Sequence, residues 1–450
     1  MIPKVCDLLE VSVFDLSLQG IGVARWNEKV VFTPGLLPGE TGIVRVTHSN
    51  QEACIAILVR QLNKSSFRHR PPCTLSKDCG GCTLQSINET GQVTWKQHHV
   101  MEVMRRVGKL DARLLPLIKT RTPFQYRNKA LVPLERLSSG LLRAGFYQSS
   151  SHYIVNMDRC PLLDPRIDNL IAPIKADLET SSWPINIHGT GSGGLRHLSI
   201  KIGVKTGEVL ITLISSHNDL MGIRDLAQNW MRRWPQVVGV CLNIQPNPNN
   251  IIVGNSTRVI AGRAWIIEQF CNLDLRITAE TFFQVNTIQA ERIVNLLVSI
   301  LNASKGSKVL DAYCGVGTLS LPLAAAGAQV LGLELQQSSV IHAQLNAELN
   351  SLTSAKFKHV DVSEALSLYL SNSDALILDP PRKGLHPSAL TQIIDTPLPQ
   401  IAYLSCNPST LARDLKLLTL NKRFELTFIQ PIDFFPQTTH VECLAILNSA

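Results

Sequence analysis

The last third of the chain, from Lys308 onward, alternates short apolar segments with segments of helical character. The apolar segments include SKVLDAY, QVLGLEL, DALILDPP and IAYLSCNP. Apolar strands that alternate with helices form a parallel sheet covered by helices on both faces, so this pattern strongly restricts the fold. It predicts an α/β domain with a doubly wound, Rossmann-like sheet.

The rest of the chain is richer in β-strand signals. Residues 11–62 consist of short β-rich runs punctuated by glycines, a pattern typical of a small antiparallel β-barrel. A basic segment, KSSFRHR, and the dipeptide Pro71–Pro72 follow and mark a boundary. We therefore predict a multi-domain α/β protein with three domains, at residues 1–65, 66–272 and 273–450.

Composition narrows the class of protein. With 450 residues, 45% of them hydrophobic, the chain is globular, and its net charge of +8 favours a polyanionic partner. The sequence shows neither a signal peptide nor an apolar run of the ~18 residues needed to cross a bilayer. We expect a cytoplasmic protein with no membrane partner, and no obligate protein partner is evident.

Positive charge is concentrated between Arg105 and Arg143. This stretch has ten lysines and arginines against two acids, with aromatic residues interleaved. Basic side chains neutralise phosphates and aromatic rings stack on bases, so the stretch predicts a nucleic-acid-binding surface. A solvated face of a β-rich domain explains the same pattern equally well. Arg127 and Lys129 are the candidate substrate contacts within it.

A glycine-containing segment, DAYCGVGTLSL, joins the first predicted strand of the α/β domain to the following helix. Gly315 and Gly317 permit a tight turn and a close approach of a ligand to the backbone. Glu334 ends the next predicted strand, where a carboxylate can bind both ribose hydroxyls. The third glycine of the NAD-binding pattern is absent, so S-adenosylmethionine, an adenosine ligand without a pyrophosphate, fits better than NAD.

Residues of types that are used in catalysis follow the later predicted strands. Asp379 begins the sequence Asp-Pro-Pro-Arg, in which Arg382 stands where nucleic-acid amino-methyltransferases carry an aromatic residue. Cys406 follows the fifth strand, at the edge where open α/β sheets bind ligands, and is a candidate nucleophile. A buried, inert thiol is the alternative. Glu442, near the start of the last strand, is either a general base beside Cys406 or a surface ion-pair partner.

Three cysteines lie within ten residues, in the pattern Cys73-x5-Cys79-x2-Cys82. Cys160, followed by a proline, is a candidate fourth member of the set. Four thiolates can hold either a zinc ion or an iron–sulfur cluster, and the spacing does not decide between the two. The pattern therefore predicts a metal site of undetermined identity.

Taken together, these segments resemble the RNA uracil-C5 methyltransferases, from about Val11 to Cys443. The resemblance rests on the strings FFQVN, DAYCGVGT, DPPRKGL, SCNPST and FPQTTHVE, which occur in the family's order and spacing. It implies that residues 1–65 form a TRAM domain, an OB-like RNA-binding barrel. It further implies a central iron–sulfur RNA-binding domain at 66–272, whose helix near 91–120 packs on the catalytic domain, and an S-adenosylmethionine-dependent methyltransferase domain at 273–450.

The resemblance also assigns roles to residues. It implies that Cys406 adds to carbon 6 of uracil, that Glu442 removes the proton from carbon 5, and that Phe282 is a platform for the flipped base. The residues that would line the S-adenosylmethionine site are Gln284, Tyr313, Thr318, Glu334, Asp361 and Asp379. The residues that would ligate a [4Fe-4S] cluster are Cys73, Cys79, Cys82 and Cys160.

Within the family that the chain resembles, the combination of a TRAM barrel and a cluster points to the 23S rRNA enzymes, because the family's tRNA member lacks both. We therefore expect formation of 5-methyluridine in 23S rRNA. Two alternatives stay open. The substrate is tRNA or another RNA, or the chain is a non-catalytic RNA-binding maturation factor.

Overall fold

The computed structural model describes residues 3–187, 194–247 and 251–450. The chain forms two compact units, Met1–His99 with Phe435–His440, and Val100–Phe434 with Val441–Ala450. Across the described residues, none of the helices combines the length and the apolar character that a membrane span requires.

The first unit contains a closed five-stranded barrel. Its strands are β1 (Leu8–Leu16), β2 (Gly22–Trp26), β3 (Lys29–Thr33), β4 (Thr41–Ser49) and β5 (Ala53–Gln61). They follow the order β1-β2-β3-β5-β4, and β4 closes the barrel by pairing with β1. Alternate side chains point inward, so Val11, Val13 and Val44 pack in the barrel core. The barrel is not purely antiparallel, because β3 and β5 run parallel.

The chain that follows the barrel belongs to the same compact unit. Leu84, Ile87 and Trp95 pack with two barrel leucines in a second apolar cluster. The Trp95 indole N–H donates a hydrogen bond to Asp15 Oδ1 at 2.9 Å. This packing explains why residues 62–99 group with the barrel, beyond the boundary at residue 65. The division into three domains stays a prediction, and the compact units divide the chain differently. The first helix, α1 (Glu89–Val103), begins in this unit.

The second unit begins with a predominantly antiparallel six-stranded sheet and a hairpin. The sheet has the order β11-β10-β9-β8-β6-β7, in which β9 and β10 are parallel, and the hairpin pairs β12 with β13. The elements are β6 (Lys129–Arg136), β7 (Leu142–Ala144), α2 (Pro165–Glu179), β8 (Leu195–Ile202), β9 (Val209–Ser215), α3 (Ile223–Arg233), β10 (Val237–Ile244), β11 (Ser256–Gly262), β12 (Trp265–Phe270) and β13 (Leu273–Thr278).

A seven-stranded sheet with the order β16-β15-β14-β17-β18-β20-β19 completes the second unit. The elements are α4 (Thr287–Ile300), β14 (Lys308–Ala312), α5 (Ser320–Ala325), β15 (Gln329–Glu334), α6 (Gln337–Leu349), β16 (Ala355–His359), α7 (Val362–Ala365), α8 (Ser367–Leu370), β17 (Ala375–Leu378), α9 (Pro387–Asp395), β18 (Gln400–Ser405), α10 (Pro408–Leu420), β19 (Phe424–Ile432) and β20 (Glu442–Ser449). The strands from β14 to β18 are parallel to their neighbours, and β20 is antiparallel to β18 and β19. This topology confirms the predicted doubly wound α/β sheet.

A segment from far upstream extends this sheet. A short π-helix, Met104–Gly108, packs against α10, and a Cβ on Gly108 would lie 3.2 Å from the carbonyl oxygen of Ala412. The N–H groups of Leu115 and Ile118 then donate to carbonyls of β19, at 2.9 Å each. The sheet domain is therefore discontinuous in sequence.

Candidate active site

The carboxyl ends of the parallel strands collect the polar side chains that the sequence singled out. Glu334 is the last residue of β15, while Asp379 and Cys406 directly follow β17 and β18. Parallel strands end at one edge of the sheet, so these three side chains share that edge. Glu442 reaches the same edge from the opposite direction, as the first residue of antiparallel β20.

The ladder between β18 and β20 sets the relation between the candidate nucleophile and the candidate base. Its last pair joins Ser405 to Cys443. In an antiparallel pair, one further residue on each strand remains opposite, so Cys406 faces Glu442 across the ladder. Residues directly opposite each other have Cβ atoms about 4.5–5.5 Å apart. The register therefore brings the thiol and the carboxyl group together.

The turn that carries Cys406 is held by its neighbours. The side chain of Asn407 caps α10 by accepting a hydrogen bond from the N–H of Ser409, at 3.0 Å. Its amide also donates to the carbonyl of Arg382, at 3.1 Å, which ties the turn to the loop after β17. Cys406 itself is half-buried. Burial and the Glu442 carboxylate raise the pKa of the Cys406 thiol, whereas the Arg382 guanidinium lowers it.

Glu442 is a buried carboxyl group with unused hydrogen-bonding capacity. The residue is only 5% exposed, and its Oε2 atom has no hydrogen-bond partner among the described residues. Burial raises the pKa of Glu442 to about 8, and the nearby Asp379 carboxylate adds to this rise. Burial likewise raises the pKa of Asp379 to about 7. Carboxyl groups with a pKa near neutrality are suited to take up and release protons.

The segment after β14 forms one wall of a cleft. Tyr313 is in the left-handed region, with φ of 74°, and Gly315 and Gly317 have φ of 55° and 88°. Glu334 stabilises this turn, because its Oε2 accepts a hydrogen bond from the N–H of Gly315 at 3.0 Å. A Cβ on Gly315 would meet no other atom within 4 Å, so the backbone there is open to a ligand.

Five of the predicted site residues line this cleft together: Phe282, Gln284, Tyr313, Thr318 and Asp379. Phe282 is 67% exposed, which leaves its ring available for stacking. Glu334 is connected to the cleft through Gly315. Asp361, after β16, is not among the lining residues, but its charge raises the pKa of Tyr313, which burial raises to about 12.

Asp361 also forms a helix cap. Its Oδ1 caps α7 by accepting hydrogen bonds from the backbone N–H and the hydroxyl of Ser363, at 2.8 and 2.7 Å. These hydrogen bonds lower the pKa of Asp361, so it is ionised at neutral pH. A fixed carboxylate of this kind can accept hydrogen bonds from a polar ligand.

Asp311, on β14, was not among the predicted site residues. It is fully buried, its Oδ2 accepts a hydrogen bond from the Ser320 hydroxyl at 2.5 Å, and its Oδ1 has no partner among the described residues. Burial raises the pKa of Asp311 to about 7, with a contribution from Asp379. A charged residue within an apolar strand, directly before a glycine turn, is the sequence signal that could have identified it.

The two candidate contacts in the basic stretch lie in different environments. The Arg127 guanidinium lies over the ring of Tyr126, 6.0 Å from its centroid. Lys129 is half-buried on β6 and lines a small cavity with Lys201 and Glu268. Burial lowers the pKa of Lys129. Both residues stay predictions as RNA contacts.

The predicted cluster ligands divide between the two units. Cys73, Cys79 and Cys82 are half-buried in the first unit, and Cys160 is half-buried in the second. Thiol side chains suit an iron–sulfur cluster chemically. However, no three His, Cys, Asp or Glu side chains of the described residues are arranged to hold a metal ion. The cluster therefore stays a prediction, and we derive no chemical step from it.

Two family models match this chain. The model described as tRNA (Uracil-5-)-methyltransferase matches residues 252–450, and the TRAM domain model matches residues 4–59. An uncharacterized RNA methyltransferase of Parasynechococcus marenigrum is 46% identical over 443 residues, which cover 98% of this chain and 95% of the relative. A second, from a Synechocystis species, is 42% identical over 98% of this chain and 96% of its own length.

One solved structure matches nearly the whole chain. It is the Pyrococcus abyssi tRNA (uracil-54, C5)-methyltransferase in complex with S-adenosyl-L-homocysteine. The two chains are 25% identical with a TM-score of 0.77, and the match covers 98% of this chain and 100% of the other. The similarity therefore includes the barrel, the six-stranded sheet and the seven-stranded sheet.

Proposed function

We infer the function from the family: this chain belongs to the tRNA (uracil-5-)-methyltransferase family and is an S-adenosylmethionine-dependent RNA (uracil-5-)-methyltransferase. We propose that it forms 5-methyluridine in 23S rRNA. The reaction passes through a covalent adduct between Cys406 and carbon 6 of the target uracil. The observation that carries the mechanism is the β18–β20 register, which sets Cys406 opposite the buried carboxyl group of Glu442.

The chemistry begins at Cys406. Carbon 5 of uracil is a weak nucleophile, so the Cys406 thiolate adds to carbon 6, and the electrons of the 5,6 double bond move to give an enolate. Arg382 assists by lowering the pKa of the thiol, against the effect of burial. When bound, S-adenosylmethionine would supply the methyl group to the activated carbon 5 and, as its bond from sulfur to that methyl breaks, leave as neutral S-adenosylhomocysteine.

Glu442 completes the reaction. Its carboxylate takes the proton from carbon 5, the electrons of that C–H bond re-form the 5,6 double bond, and the bond from sulfur to carbon 6 breaks to release the thiolate. Phe282, whose ring is exposed, provides the stacking surface for the uracil after it has flipped out of the RNA stack. The residues that would hold S-adenosylmethionine are Gln284, Tyr313, Thr318, Glu334, Asp361 and Asp379.

The cysteine pattern and the barrel support 23S rRNA as the substrate. The Pyrococcus abyssi relative gives a specific reason to keep tRNA as a second candidate, since a tRNA enzyme matches the chain over 98% of its length. The barrel alone therefore does not distinguish the two substrates, so the preference for 23S rRNA rests on the barrel together with the cysteine pattern.

Transfer of labelled methyl groups to purified, unmodified RNA tests the proposal. We would incubate the protein with 23S rRNA, 16S rRNA and tRNA in parallel and identify the labelled nucleoside. The expected product is 5-methyluridine in 23S rRNA alone. Label in tRNA alone would replace the proposed substrate, and RNA binding without transfer to any of the three would favour a non-catalytic maturation factor.

We also propose that Cys73, Cys79, Cys82 and Cys160 hold a [4Fe-4S] cluster with a structural or RNA-positioning role, since methyl transfer requires no redox step. The spacing of the cysteines supports this. Iron and acid-labile sulfide, measured in protein purified without oxygen, should each approach four per chain. One zinc ion per chain, without sulfide, would replace the cluster by a zinc site.

A further inference from the structure

The loop between β13 and α4 carries two residues of the proposed site but has no regular secondary structure of its own. It runs over residues 279–286 and presents Phe282 and Gln284 to the cleft. A loop that positions a base platform and a cofactor ligand must be held still, because small misplacements of reacting groups are costly.

Lys201, on β8, holds the beginning of the loop. It is only 6% exposed, and its Nζ donates hydrogen bonds to the carbonyl oxygens of Thr278, at 2.5 Å, and Thr281, at 2.8 Å. The Thr281 hydroxyl accepts a further hydrogen bond from the N–H of Thr278, at 2.9 Å. The two carbonyls lie on either side of the turn that leads into Phe282.

Asn128, directly before β6, holds the end of the loop. It is 4% exposed, and its side-chain amide donates to the carbonyl of Gln284 at 2.8 Å and to the Thr287 hydroxyl at 2.9 Å. Its backbone N–H donates to the carbonyl of Val285, at 3.0 Å. Gln284 is thus held through its own backbone.

We propose that Lys201 and Asn128 are positioning residues of the methyltransferase, which fix the loop 279–286 from both ends and so place Phe282 and Gln284 before RNA and S-adenosylmethionine bind. The inference rests on the proposed roles of these two residues. It gives the six-stranded sheet a function in the reaction, since Lys201 lies on β8 and Asn128 directly precedes β6.

The environment of Lys201 argues for a role beyond simple packing. Lys201 lines a small cavity with Lys129, Glu268 and Phe283. Burial and the charge of Lys129 lower the pKa of Lys201 well below its usual value. A lysine in such a place is costly to bury, and an apolar side chain of similar length would avoid that cost. Its amine nevertheless supplies two donors to the loop in either protonation state.

The test compares Lys201→Met and Asn128→Ala with Lys205→Met, a matched control. Lys205 lies four residues after Lys201 and forms an ion pair with Glu291, on α4 and outside residues 279–286. Hydrogen–deuterium exchange by mass spectrometry reads the loop directly. We expect exchange in peptides spanning 279–286 to accelerate about tenfold in both variants, with β14–β18 unchanged and the control at the wild-type rate.

Kinetics then separates positioning from stability. We expect kcat/KM for methyl transfer to fall roughly 10- to 100-fold, with a higher KM for S-adenosylmethionine and a melting temperature lowered by only a few degrees, about the effect of losing the buried hydrogen bonds. Wild-type exchange in the loop of both variants, or an exchange increase spread over the whole second unit with activity lost only in proportion to unfolded protein, would overturn the proposal.

Failure of the positioning proposal can be distinguished from failure of the proposed function. Loop exchange requires neither RNA nor turnover, so it tests the positioning role of Lys201 and Asn128 even if no RNA is methylated. If Cys406→Ala retained activity, the proposed mechanism would fail while the exchange result stood. If Lys201→Met does not fold, Asn128→Ala carries the same test from the other end of the loop.

Discussion

Two groups of carboxylates at one edge of the seven-stranded sheet differ sharply in environment. On one side, Glu334 accepts hydrogen bonds from two backbone N–H groups and Asp361 caps a helix. On the other side, Asp379 and Glu442 are desolvated, and burial raises their pKa values to about 7 and about 8. The same chemical group is thus prepared for different tasks within one sheet.

The difference bears on the roles proposed for these groups in cofactor binding and in chemistry. A carboxylate with fixed hydrogen-bond donors keeps its charge and its orientation, which suits recognition of a polar cofactor. A desolvated carboxyl group gains or loses its proton near neutral pH, which suits the proton transfer proposed for Glu442. Asp379 shares this environment but lines the proposed cofactor cleft. The second group also lies beside Cys406, the thiol that the sequence predicts as the nucleophile at this edge of the sheet. The comparison predicts effects of different size on the two sides.

The largest effect should follow removal of the nucleophile. We expect Cys406→Ala to lower methyl transfer by roughly 10⁴-fold or more, because no other group replaces the covalent step. Methyl transfer to the preferred RNA substrate is the measurement, with Cys6→Ser, at an exposed cysteine of the first unit, as control. Full activity in Cys406→Ala would rule out the covalent mechanism.

A smaller loss is expected for Glu442→Gln, which keeps the shape of the side chain but removes the base. The rate should fall about 10²- to 10⁴-fold, the usual contribution of general base catalysis. Because elimination is blocked after methyl transfer, a methylated RNA–protein adduct should accumulate and be visible on a denaturing gel. Loss of activity without any adduct would move the role of Glu442 to an earlier step.

The pH profile sharpens the same side of the comparison. A base is active in its deprotonated form, and the pKa of Glu442 is about 8. Single-turnover rates should therefore rise more than tenfold per pH unit below about pH 7, and more gently above about pH 8, where only the thiolate fraction of Cys406 still increases. The profile of Glu442→Gln should lack the change of slope near pH 8. A wild-type profile that is flat between pH 6 and 9 would contradict the assignment.

The smallest effect belongs to the binding side. Glu334→Gln retains one acceptor oxygen but loses the charge, so we expect the KM for S-adenosylmethionine to rise about tenfold, with kcat changed less than about threefold. Glu348→Gln, in the last turn of α6, is a matched surface control. A large fall in kcat at saturating S-adenosylmethionine would mean that the two sides of the edge do not divide binding from chemistry.

Sequence motifs identified the α/β sheet and the residues at its edge. The predicted strands after Lys308 occur as β14 to β18, and five predicted residues line one cleft. These residues could be predicted from the sequence because each motif combines a strand end with a turn. A parallel sheet brings all its strand ends to one edge. The role of each residue remains to be tested by the variants above.

Other features had no local signal. Asn128 and Lys201 lie in β-rich sequence that carries no recognisable motif. They nevertheless form hydrogen bonds to a loop whose residues are more than 70 positions away in sequence. The family resemblance implied a helix near 91–120 that packs on the catalytic domain, but nothing indicated that Leu115 and Ile118 form hydrogen bonds with β19. Likewise, the boundary at residue 65 reflects a change in composition, whereas the compact unit is defined by apolar packing that continues to Trp95.

The sequence by itself indicated the sheet type, the barrel and the candidate reactive side chains, because strand periodicity and turn residues act over a few positions. Only the tertiary structure decided which carboxyl groups are buried and what holds the loop with Phe282. Desolvation and hydrogen bonds between distant segments depend on how the chain closes on itself, and they set the pKa values of Asp379 and Glu442.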